Sequence, residues 1–368
     1  MKKVLFYINT LEYGGAERVI SNLCNRFATK GYEVIMATSY HAEPEYPLSE
    51  NVKRVVFFEN KETKRFKRNI KLIASLRKLI RAEQIDVVVS FMAEPNIRAI
   101  LASIFLHRHK TVVSIRNDPC KEYSGMVLTC MSKLLFSFAD GIVVQTRDAM
   151  EWLPKRLRRK ATILKNQVAD IFFETEASGE RHGIFSVGRL EKQKNHNLLI
   201  RAFAAIQSTT TENLYIIGDG SLRKDLEKQV RSLHLSDRIF LCGTTDHVAE
   251  TIADAELFVL PSDYEGSPNA LIEAMAEGLL CIATDCPCGG PRELIRDGEN
   301  GFLVSTNDES SLARAITHVF QMTEDRKEQI RRNAKITAAQ FRGDYVFDRW
   351  EEFLSVVESG EVKKWKVR

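Results

Sequence analysis

The sequence predicts an α/β protein with two doubly wound domains, each built on a parallel β-sheet. Short apolar runs rich in β-branched residues alternate with helical patterns along the whole chain, and continuous apolar runs between helices are typical of parallel strands covered on both faces. The alternation pauses once, at the polar stretch Asn166–Gly183, and then resumes. A length of 368 residues suits two domains of ordinary size.

Each series contains six predicted strands. In the first series they are Val4–Ile8, Glu33–Ala37, Arg54–Phe58, Val87–Phe91, Thr111–Ile115 and Gly141–Gln145. In the second they are Ile184–Val187, Leu214–Ile217, Ile239–Leu241, Leu257–Leu260, Cys281–Ala283 and Gly301–Val304. Because ligands bind at the carboxyl ends of strands in such sheets, we expect the two domains to face each other across a shared cleft.

The pause in the pattern sets the expected domain boundaries. We expect an N-terminal domain over residues 1–165, a linker at Asn166–Gly183 and a C-terminal domain over residues 182–340. Residues 341–368 contain a predicted helix, Tyr345–Val357, and the basic tail Lys363–Arg368. We expect this extension to pack back on the N-terminal domain.

Composition predicts a cytoplasmic globular protein. Apolar residues make up 44% of the chain and charged residues 28%, and no apolar stretch approaches the roughly 20 residues of a membrane span. The start, Met1–Ile8, is typical of a first strand rather than of a signal peptide. The seven cysteines are scattered, which favours reduced thiols. Since Cys281, Cys286 and Cys288 lack a nearby histidine or second cysteine pair, we predict no metal site.

Positive charge is concentrated in the first half of the chain. Residues 1–180 hold 29 Lys and Arg against 20 Asp and Glu. The segment Lys61–Arg81 combines nine cations with a helical apolar pattern, and Lys155–Lys160 forms a second basic patch. A basic amphipathic helix favours an anionic membrane surface, although a solvated helix of an ordinary domain fits the same pattern. No recognisable nucleic-acid module accompanies the charge, so we expect no nucleic-acid partner.

Two glutamates eight residues apart, Glu265 and Glu273, are the most informative motif. Leu257–Leu260 predicts a strand, and Ser267-Pro-Asn269 predicts a helix start with Ser267 as its cap. A helix start binds phosphate through its unpaired N–H groups and its dipole. One carboxylate before that start and another inside the helix can accept hydrogen bonds from hydroxyls on either side of a diphosphate. This arrangement suits a nucleotide sugar.

Further candidate residues follow other predicted strands. Gly14-Gly15 precedes a helix and lets backbone approach a ligand, without the third glycine of a dinucleotide fingerprint. Gly188 and Arg189, with Lys194 five residues on, place two cations where they can neutralise a diphosphate. Three further sites follow predicted strands. Gly218–Gly220 predicts a turn, and Gly289–Ile295 predicts a helix start. At Gly243 a nucleotide base can lie against the backbone.

In this order the motifs resemble retaining glycosyltransferases of the GT-B fold, specifically glycosyltransferase family 4. The residues that carry the resemblance are Gly14–Glu17, Gly188-Arg-Leu with Lys194, Gly218–Gly220, Glu265–Glu273 and Gly290–Glu293 with Asn300-Gly301. The resemblance covers nearly the whole chain. It implies two Rossmann-like domains, a nucleotide-sugar site mostly in the second, an acceptor site mostly in the first, and no obligatory metal or resident cofactor.

The resemblance also implies residue roles. Arg189 and Lys194 hold the donor diphosphate, with Gly188 beside them, and Glu265 faces the donor sugar. Glu273 binds the ribose hydroxyls, and Gly243 lies near the base. Backbone N–H groups of Asn269, Ala270 and Leu271 cap the phosphates, and Gly15 lets the first domain close over them.

One departure from the family pattern concerns the acceptor side. Many members carry a histidine after the strand that matches Thr111–Ile115, whereas this chain has Arg116, Asn117 and Asp118 there. Which of the three takes the place of the histidine stays open, and Asp118 before proline fits a turn residue equally well.

The resemblance implies retaining, metal-independent transfer of a hexose or N-acetylhexosamine from a UDP-sugar to a glycan acceptor. The basic first domain and the Gly290–Glu293 segment resemble those of bacterial enzymes that extend undecaprenyl-diphosphate-linked oligosaccharides for capsule, O-antigen or glycoprotein assembly. Such enzymes work at the cytoplasmic face of the inner membrane. A sugar-nucleotide epimerase of the same fold and a non-catalytic nucleotide-sugar-binding protein are the alternatives. The sugar, the linkage and the oligomeric state are not encoded in any motif we recognise.

Overall fold

The computed structural model describes residues 2–12, 14–59, 65–106, 108–175 and 177–362. The chain divides into two compact units, one holding the residues up to Asn166 and those from Val346 onward, the other Gln167–Tyr345. Each unit is built on an all-parallel sheet covered by helices. The predicted fold class, two Rossmann-like parallel-sheet domains, is confirmed.

The first unit has a seven-stranded sheet in the order β3-β2-β1-β4-β5-β6-β7. Its strands are β1 Lys3–Ile8, β2 Glu33–Tyr40, β3 Val52–Phe58, β4 Val87–Phe91, β5 Lys110–Ser114, β6 Gly141–Val144 and β7 Ala161–Ile163. The six predicted strands are confirmed. The sequence missed β7, because Ala161-Thr-Ile163 has one large apolar side chain and therefore no continuous apolar run.

The helices of this unit cover both faces of its sheet. They are α1 Gly15–Thr29, α2 Arg65–Ala82, α3 Ala93–Ser103, α4 Pro119–Glu122, α5 Met126–Leu135, α6 Arg147–Trp152 and α7 Lys155–Arg158. Successive residues of a strand point to opposite faces, so Phe6 packs in one core with Phe27 of α1, while Tyr7 packs in the other with Leu76 of α2 and Ala99 of α3. The segment predicted as a basic helix is α2, although Lys61 and Lys64 lie outside the described residues.

The second unit has a six-stranded sheet in the order β10-β9-β8-β11-β12-β13. Its strands are β8 His182–Val187, β9 Leu214–Ile217, β10 Ile239–Gly243, β11 Ala255–Leu260, β12 Leu280–Thr284 and β13 Phe302–Val304, and all six were predicted. Its helices are α8 Ile171–Glu174, α9 His196–Ile206, α10 Arg223–Ser232, α11 Val248–Ile252, α12 Asn269–Ala276, α13 Glu309–Gln321 and α14 Glu324–Ala338. The strand order reverses between β8 and β11, and the loops that follow these strands flank the switch point where such sheets bind ligands.

Three local predictions are wrong. The stretch predicted as a linker contains α8, and Val168 and Phe172 are buried in the core of the second unit. The start of α12 follows Pro268 and has no side-chain cap within the described residues, so Ser267 does not cap it. The helix predicted at Gly289–Ile295 is a single 3-10 turn over Pro291–Glu293, preceded by Gly289 with a φ of +70°.

The last helix, α15 Gly343–Ser359, adds its residues from Val346 onward to the first unit. Phe347 packs against Phe27 with ring centroids 4.7 Å apart, and Trp350 stacks on Phe91 at 5.8 Å. A Cβ on Gly141 of β6 would lie 2.9 Å from Val357, so glycine there permits the close approach of α15. The basic tail Lys363–Arg368 lies outside the described residues.

Candidate functional site

A buried ion pair joins the two loops at the switch point of the second sheet. Lys194, on the loop after β8, places its Nζ 2.6 Å from Oε1 of Glu265, on the loop after β11. The Ser262 hydroxyl donates to the same Glu265 oxygen at 2.7 Å. The Lys194 side chain is 20% exposed and that of Glu265 6%. Two residues selected from the sequence on separate grounds therefore form one charged centre.

Glycines at the carboxyl ends of β8, β9 and β10 shape the backbone beside this centre. The stem of Lys194 lies against Gly188, where an added Cβ would stand 3.3 Å from its Cγ and Cδ. Gly218 has a φ of +142° and an added Cβ there would lie 2.0 Å from the Gly188 carbonyl oxygen, so only glycine fits. The Gly218 N–H donates to the Gly243 carbonyl at 2.7 Å. The three strand ends therefore form one backbone edge beside Lys194.

Side chains that the sequence analysis missed hold the two loops together. The side-chain amide of Gln193 donates to the Tyr264 backbone carbonyl at 3.0 Å, and the backbone carbonyl of Gln193 accepts from the Asp263 N–H at 2.8 Å. Asn195 donates to the Asp263 carboxylate at 2.7 Å, while its side-chain oxygen caps α9. The signal for these contacts in the sequence is Asn195, a residue type typical of helix caps, just ahead of α9. These bonds fix Lys194 relative to Glu265.

Arg189 and Glu273 differ in their surroundings. Arg189 is 61% exposed, with its Nη1 3.5 Å from Glu191. Glu273 is buried within α12, one turn after the helix start at Asn269 and Ala270. The predicted phosphate-capping donor of Leu271 is already engaged, since its N–H donates to the Pro268 carbonyl at 3.0 Å.

The segment after β12 supports the loop that carries Glu265. The Glu265 N–H donates to the Pro287 carbonyl at 3.2 Å, and Gly290 N–H donates back to the Glu265 carbonyl at 3.4 Å. An added Cβ on Gly290 would lie 2.0 Å from the Gly266 carbonyl oxygen. Asn300, farther along, is buried and bonds to the Leu294 carbonyl, as expected of scaffold.

Burial shifts two titratable groups beside the ion pair. His196 is buried at the start of α9, and burial, followed by the nearby Lys194 charge, lowers its pKa to about 3. Burial, followed by the Glu265 charge, raises the pKa of the Cys286 thiol to about 12. Both groups are therefore neutral at pH 7. In the described part of the chain, no cluster of three or more His, Cys, Asp or Glu side chains is arranged to hold a metal ion.

The three predicted acceptor-side residues lie after β5 in the first unit, and they differ in their contacts. Burial lowers the pKa of Arg116 to about 9, and its guanidinium stacks on the Phe91 ring at 4.4 Å. The Asp118 carboxylate accepts from Cys120 N–H at 2.9 Å and caps α4, which is the turn role left open by the sequence. Asn117 accepts from Asp118 N–H at 2.8 Å. Gly15, in contrast, is simply the first residue of α1.

A buried polar cluster in the first unit was not predicted. Arg98 of α3 donates to Asn9 at 2.7 Å and to the Ser39 hydroxyl at 3.1 Å, and that hydroxyl also bonds Tyr7 at 2.8 Å. Asn9 and Ser39 belong to the carboxyl ends of β1 and β2. An arginine inside an otherwise amphipathic helix pattern was too common a feature to single out.

Comparison with known proteins agrees with this geometry. A family model described as Glycosyltransferase Family 4 matches residues 13–168, and one described as Glycosyl transferases group 1 matches residues 167–336. The chain is 29% identical to a Campylobacter jejuni α-1,4-N-acetyl-D-galactosaminyltransferase named for a GalNAc- and diNAcBac-containing undecaprenyl diphosphate, over 98% of this chain and 100% of that protein. It is 23% identical to the amylovoran biosynthesis glycosyltransferase AmsD of Erwinia amylovora, over 96% and 100%.

Solved structures show the same fold. The crystal structure of HepE of Anabaena in complex with UDP and glucose superposes with a TM-score of 0.81 at 19% identity, covering 96% of this chain and 100% of that one. The two family models meet at residues 167–168, the point at which the second unit begins. The chain belongs to glycosyltransferase family 4 and is a glycosyltransferase of the GT-B fold.

Proposed function

We propose that this glycosyltransferase moves a hexose or N-acetylhexosamine from a UDP-sugar to a glycan carried on a lipid diphosphate, with retention at the anomeric carbon. The observation that carries the proposal is the buried Lys194–Glu265 pair at the switch point of the second sheet. Support for the donor comes from HepE, whose structure contains UDP and glucose, and support for the acceptor from the Campylobacter relative, which is named for an undecaprenyl-diphosphate-linked glycan.

Cations do the electrostatic work at the diphosphate. As the bond from the anomeric carbon to the diphosphate breaks, negative charge grows on the leaving oxygen, and a preorganised cation in a buried site stabilises it. Lys194 is preorganised because Glu265 and the Gly188 backbone fix its position. Arg189, exposed beside it, exchanges Glu191 for phosphate oxygens. No metal or resident cofactor enters this scheme, so EDTA should leave transfer unchanged.

The remaining groups orient the donor. Glu265 faces the sugar hydroxyls with the carboxylate oxygen not used by Lys194, and Glu273 accepts from the ribose hydroxyls. Asn269 and Ala270 present the start of α12 to the phosphates, and the base lies along the Gly243 backbone. A donor phosphate oxygen takes the acceptor proton as the acceptor oxygen attacks the face from which the diphosphate departs, which gives retention.

The acceptor side is assigned to the first unit. Arg116 and Asn117 lie at the carboxyl end of β5, while the Asp118 carboxylate is held in its cap. We expect Asn117→Ala to raise the KM for acceptor and to leave the rate of donor hydrolysis by water unchanged. If sugar transfer and donor hydrolysis slowed equally in this variant, Asn117 would lie outside the acceptor site.

The test of the function is direct transfer. The purified protein is incubated with UDP-GlcNAc, UDP-GalNAc, UDP-glucose or UDP-galactose and a short-chain polyprenyl-diphosphate glycan, with EDTA present, and the product is read by mass spectrometry and by the anomeric proton coupling in NMR. A glycan longer by one sugar with the donor's anomeric configuration supports the proposal. Inverted product, or donor converted to its epimer without transfer, overturns it.

We place the enzyme at the cytoplasmic membrane surface, partly through α2. The side chains of Lys67, Lys71 and Lys78 on this helix are exposed, whereas Leu72 and Leu76 are buried. No helix in the described part of the chain is long and apolar enough to cross a bilayer. Replacing the three lysines by glutamine should weaken binding to phosphatidylglycerol vesicles and leave donor hydrolysis intact. Unchanged vesicle binding would make α2 ordinary solvated surface.

A further inference from the structure

The first unit exposes an apolar helix face that neither the sheet nor a neighbouring helix covers among the described residues. On α5, Met126 is 84% exposed, Val127 81% and Leu134 57%, and Phe138, in the 3-10 turn that follows, is 59% exposed. Single exposed apolar residues are ordinary, but a group of this size on one helix marks an interaction surface. We name this group, together with Cys130 and Met131, the α5 face.

The α5 face follows from the sequence of the helix. The ten residues Met126–Leu135 contain one cation, Lys133, and no acid. Residues 126, 127, 130, 131 and 134 recur at helical spacing on one side, while Ser132 on the opposite side is fully buried. The helix therefore has apolar side chains on its outward side, the reverse of the usual arrangement for a helix that covers a sheet.

Cations border this face. Lys133 lies over the Trp152 ring, with its Nζ 4.5 Å from the ring centroid. Lys160 donates to the carbonyls of Ser137 (2.8 Å) and Ala139, which places the basic patch Lys155–Lys160 directly beside Phe138. Within that patch Lys155, Arg156 and Arg159 are exposed. Exposed apolar side chains next to a patch of exposed cations match the boundary between acyl chains and anionic headgroups.

The α5 face also belongs to the same layer as α2. Helix α3 contacts both α2 and α5, and α2 exposes Phe66 and Ile70 beside its lysines. Two helices of one layer therefore each combine exposed apolar side chains with exposed cations.

We propose that the α5 face inserts its apolar side chains into the acyl region of an anionic bilayer, with the Lys155–Lys160 patch on the headgroups. The inference rests on the proposed function, because an acceptor carried on a lipid requires the enzyme to work at a bilayer. It differs from the α2 prediction in its chemistry: α2 contributes charge attraction, whereas α5 contributes hydrophobic insertion, which salt does not screen.

The first experiment measures binding. A triple variant, Met126→Gln, Val127→Gln and Leu134→Gln, is compared with wild type by co-sedimentation with vesicles of phosphatidylglycerol and phosphatidylcholine in 0.5 M NaCl. We expect the partition coefficient to fall at least tenfold, because even partial burial of three apolar side chains contributes more than one decade of affinity. Ile336→Gln, at an exposed apolar site on α14 of the second unit, is the matched control and should change nothing.

The second experiment reads insertion directly. In a Cys120→Ser, Cys242→Ser background, Cys130 is the exposed thiol left among the described residues, and it is labelled with an environment-sensitive fluorophore. Anionic vesicles should shift the emission to the blue. If the protein binds vesicles and the emission of the label does not shift, insertion is refuted. Insertion is also refuted if light scattering without lipid shows a dimer that the triple variant converts to monomer, because a second copy of the chain would then cover the α5 face.

The two proposals fail separately. The triple variant should keep wild-type transfer to a water-soluble acceptor analogue, because its substitutions lie outside the donor site. Transfer in wild type without vesicle binding or a label shift refutes the α5 surface alone. A label shift without transfer to any acceptor refutes the proposed function and leaves the surface in place.

Discussion

Replacing Lys194 by alanine leaves the Glu265 carboxylate buried without its cation. The two side chains are 20% and 6% exposed, and their charged atoms lie 2.6 Å apart. Removing one partner of a buried pair costs about 3–5 kcal/mol, because the other charge stays desolvated. Glu265 keeps its bond from Ser262 at 2.7 Å, so we expect about 3 kcal/mol of lost stability in the second unit.

That loss is measurable by thermal unfolding. A unit of this size shifts in Tm by roughly 2–4 °C per kcal/mol, so Lys194→Ala should lower the Tm of the second unit by about 6–12 °C. The control is Lys192→Ala, two residues away on the same loop and exposed, which should stay within about 0.5 kcal/mol of wild type. Transfer activity should fall in Lys194→Ala at a temperature where the variant is still folded, and it should not fall in Lys192→Ala.

A double-mutant cycle isolates the pair. The single variants Lys194→Ala and Glu265→Ala are compared with the double variant by denaturant unfolding. Because the second substitution removes the charge that the first left unpaired, the double variant should be more stable than the sum of the singles predicts, by about 2 kcal/mol. Additivity within about 0.5 kcal/mol would refute the view that these residues act as one buried charged centre.

Three further outcomes follow from the structure. Burial holds the pKa of His196 at about 3, below the 6.5 of an unfolded chain, so the unfolded state binds more protons between these values and His196 alone removes about 2–3 kcal/mol of unfolding free energy from pH 7 to 4.5. The stability of His196→Gln relative to wild type should therefore rise by that amount over this range, and an unchanged difference would contradict the assignment. Burial raises the pKa of Glu277 from 4.5 to about 9, so Glu277→Gln should be more stable than wild type by about 4–5 kcal/mol at pH 8 and nearly equal to it at pH 4; a comparable gain at pH 4 would contradict this. Gly290→Ala forces a Cβ to 2.0 Å from the Gly266 carbonyl and should abolish nucleotide binding, whereas Gly343→Ala, where no described atom lies within 4 Å of the added Cβ, should keep it.

Strands were predicted well because buried parallel strands have a strong apolar signal. Of the strands in the described residues, twelve had apolar runs that the sequence showed, and β7, with the sequence Ala161-Thr-Ile163, did not. Helix starts were predicted less well. Ser267 has the right residue type for a cap, yet Pro268 fixes the backbone so that α12 begins one residue later than a serine cap needs.

The candidate site, too, was predictable from the sequence only in part. Glu265 and Lys194 were selected separately, since each has a residue type and a position after a strand that fit a diphosphate sugar. Their pairing was not predictable, because it depends on how closely the Gly188 and Gly218 backbones approach. The polar cluster around Arg98 gave no signal either, because its partners come from strands far apart in sequence.

The donor site in the second unit is tested most directly by nucleotide binding. Thermal unfolding is measured with UDP, GDP, ADP and dTDP, without metal and with EDTA, for wild type and for Glu273→Gln. A ligand that binds only the folded state raises Tm by mass action, so UDP should raise the Tm of wild type and have a much smaller effect on Glu273→Gln. No shift with any nucleotide, or an equal shift in the variant, would contradict the assignment of this site to the donor.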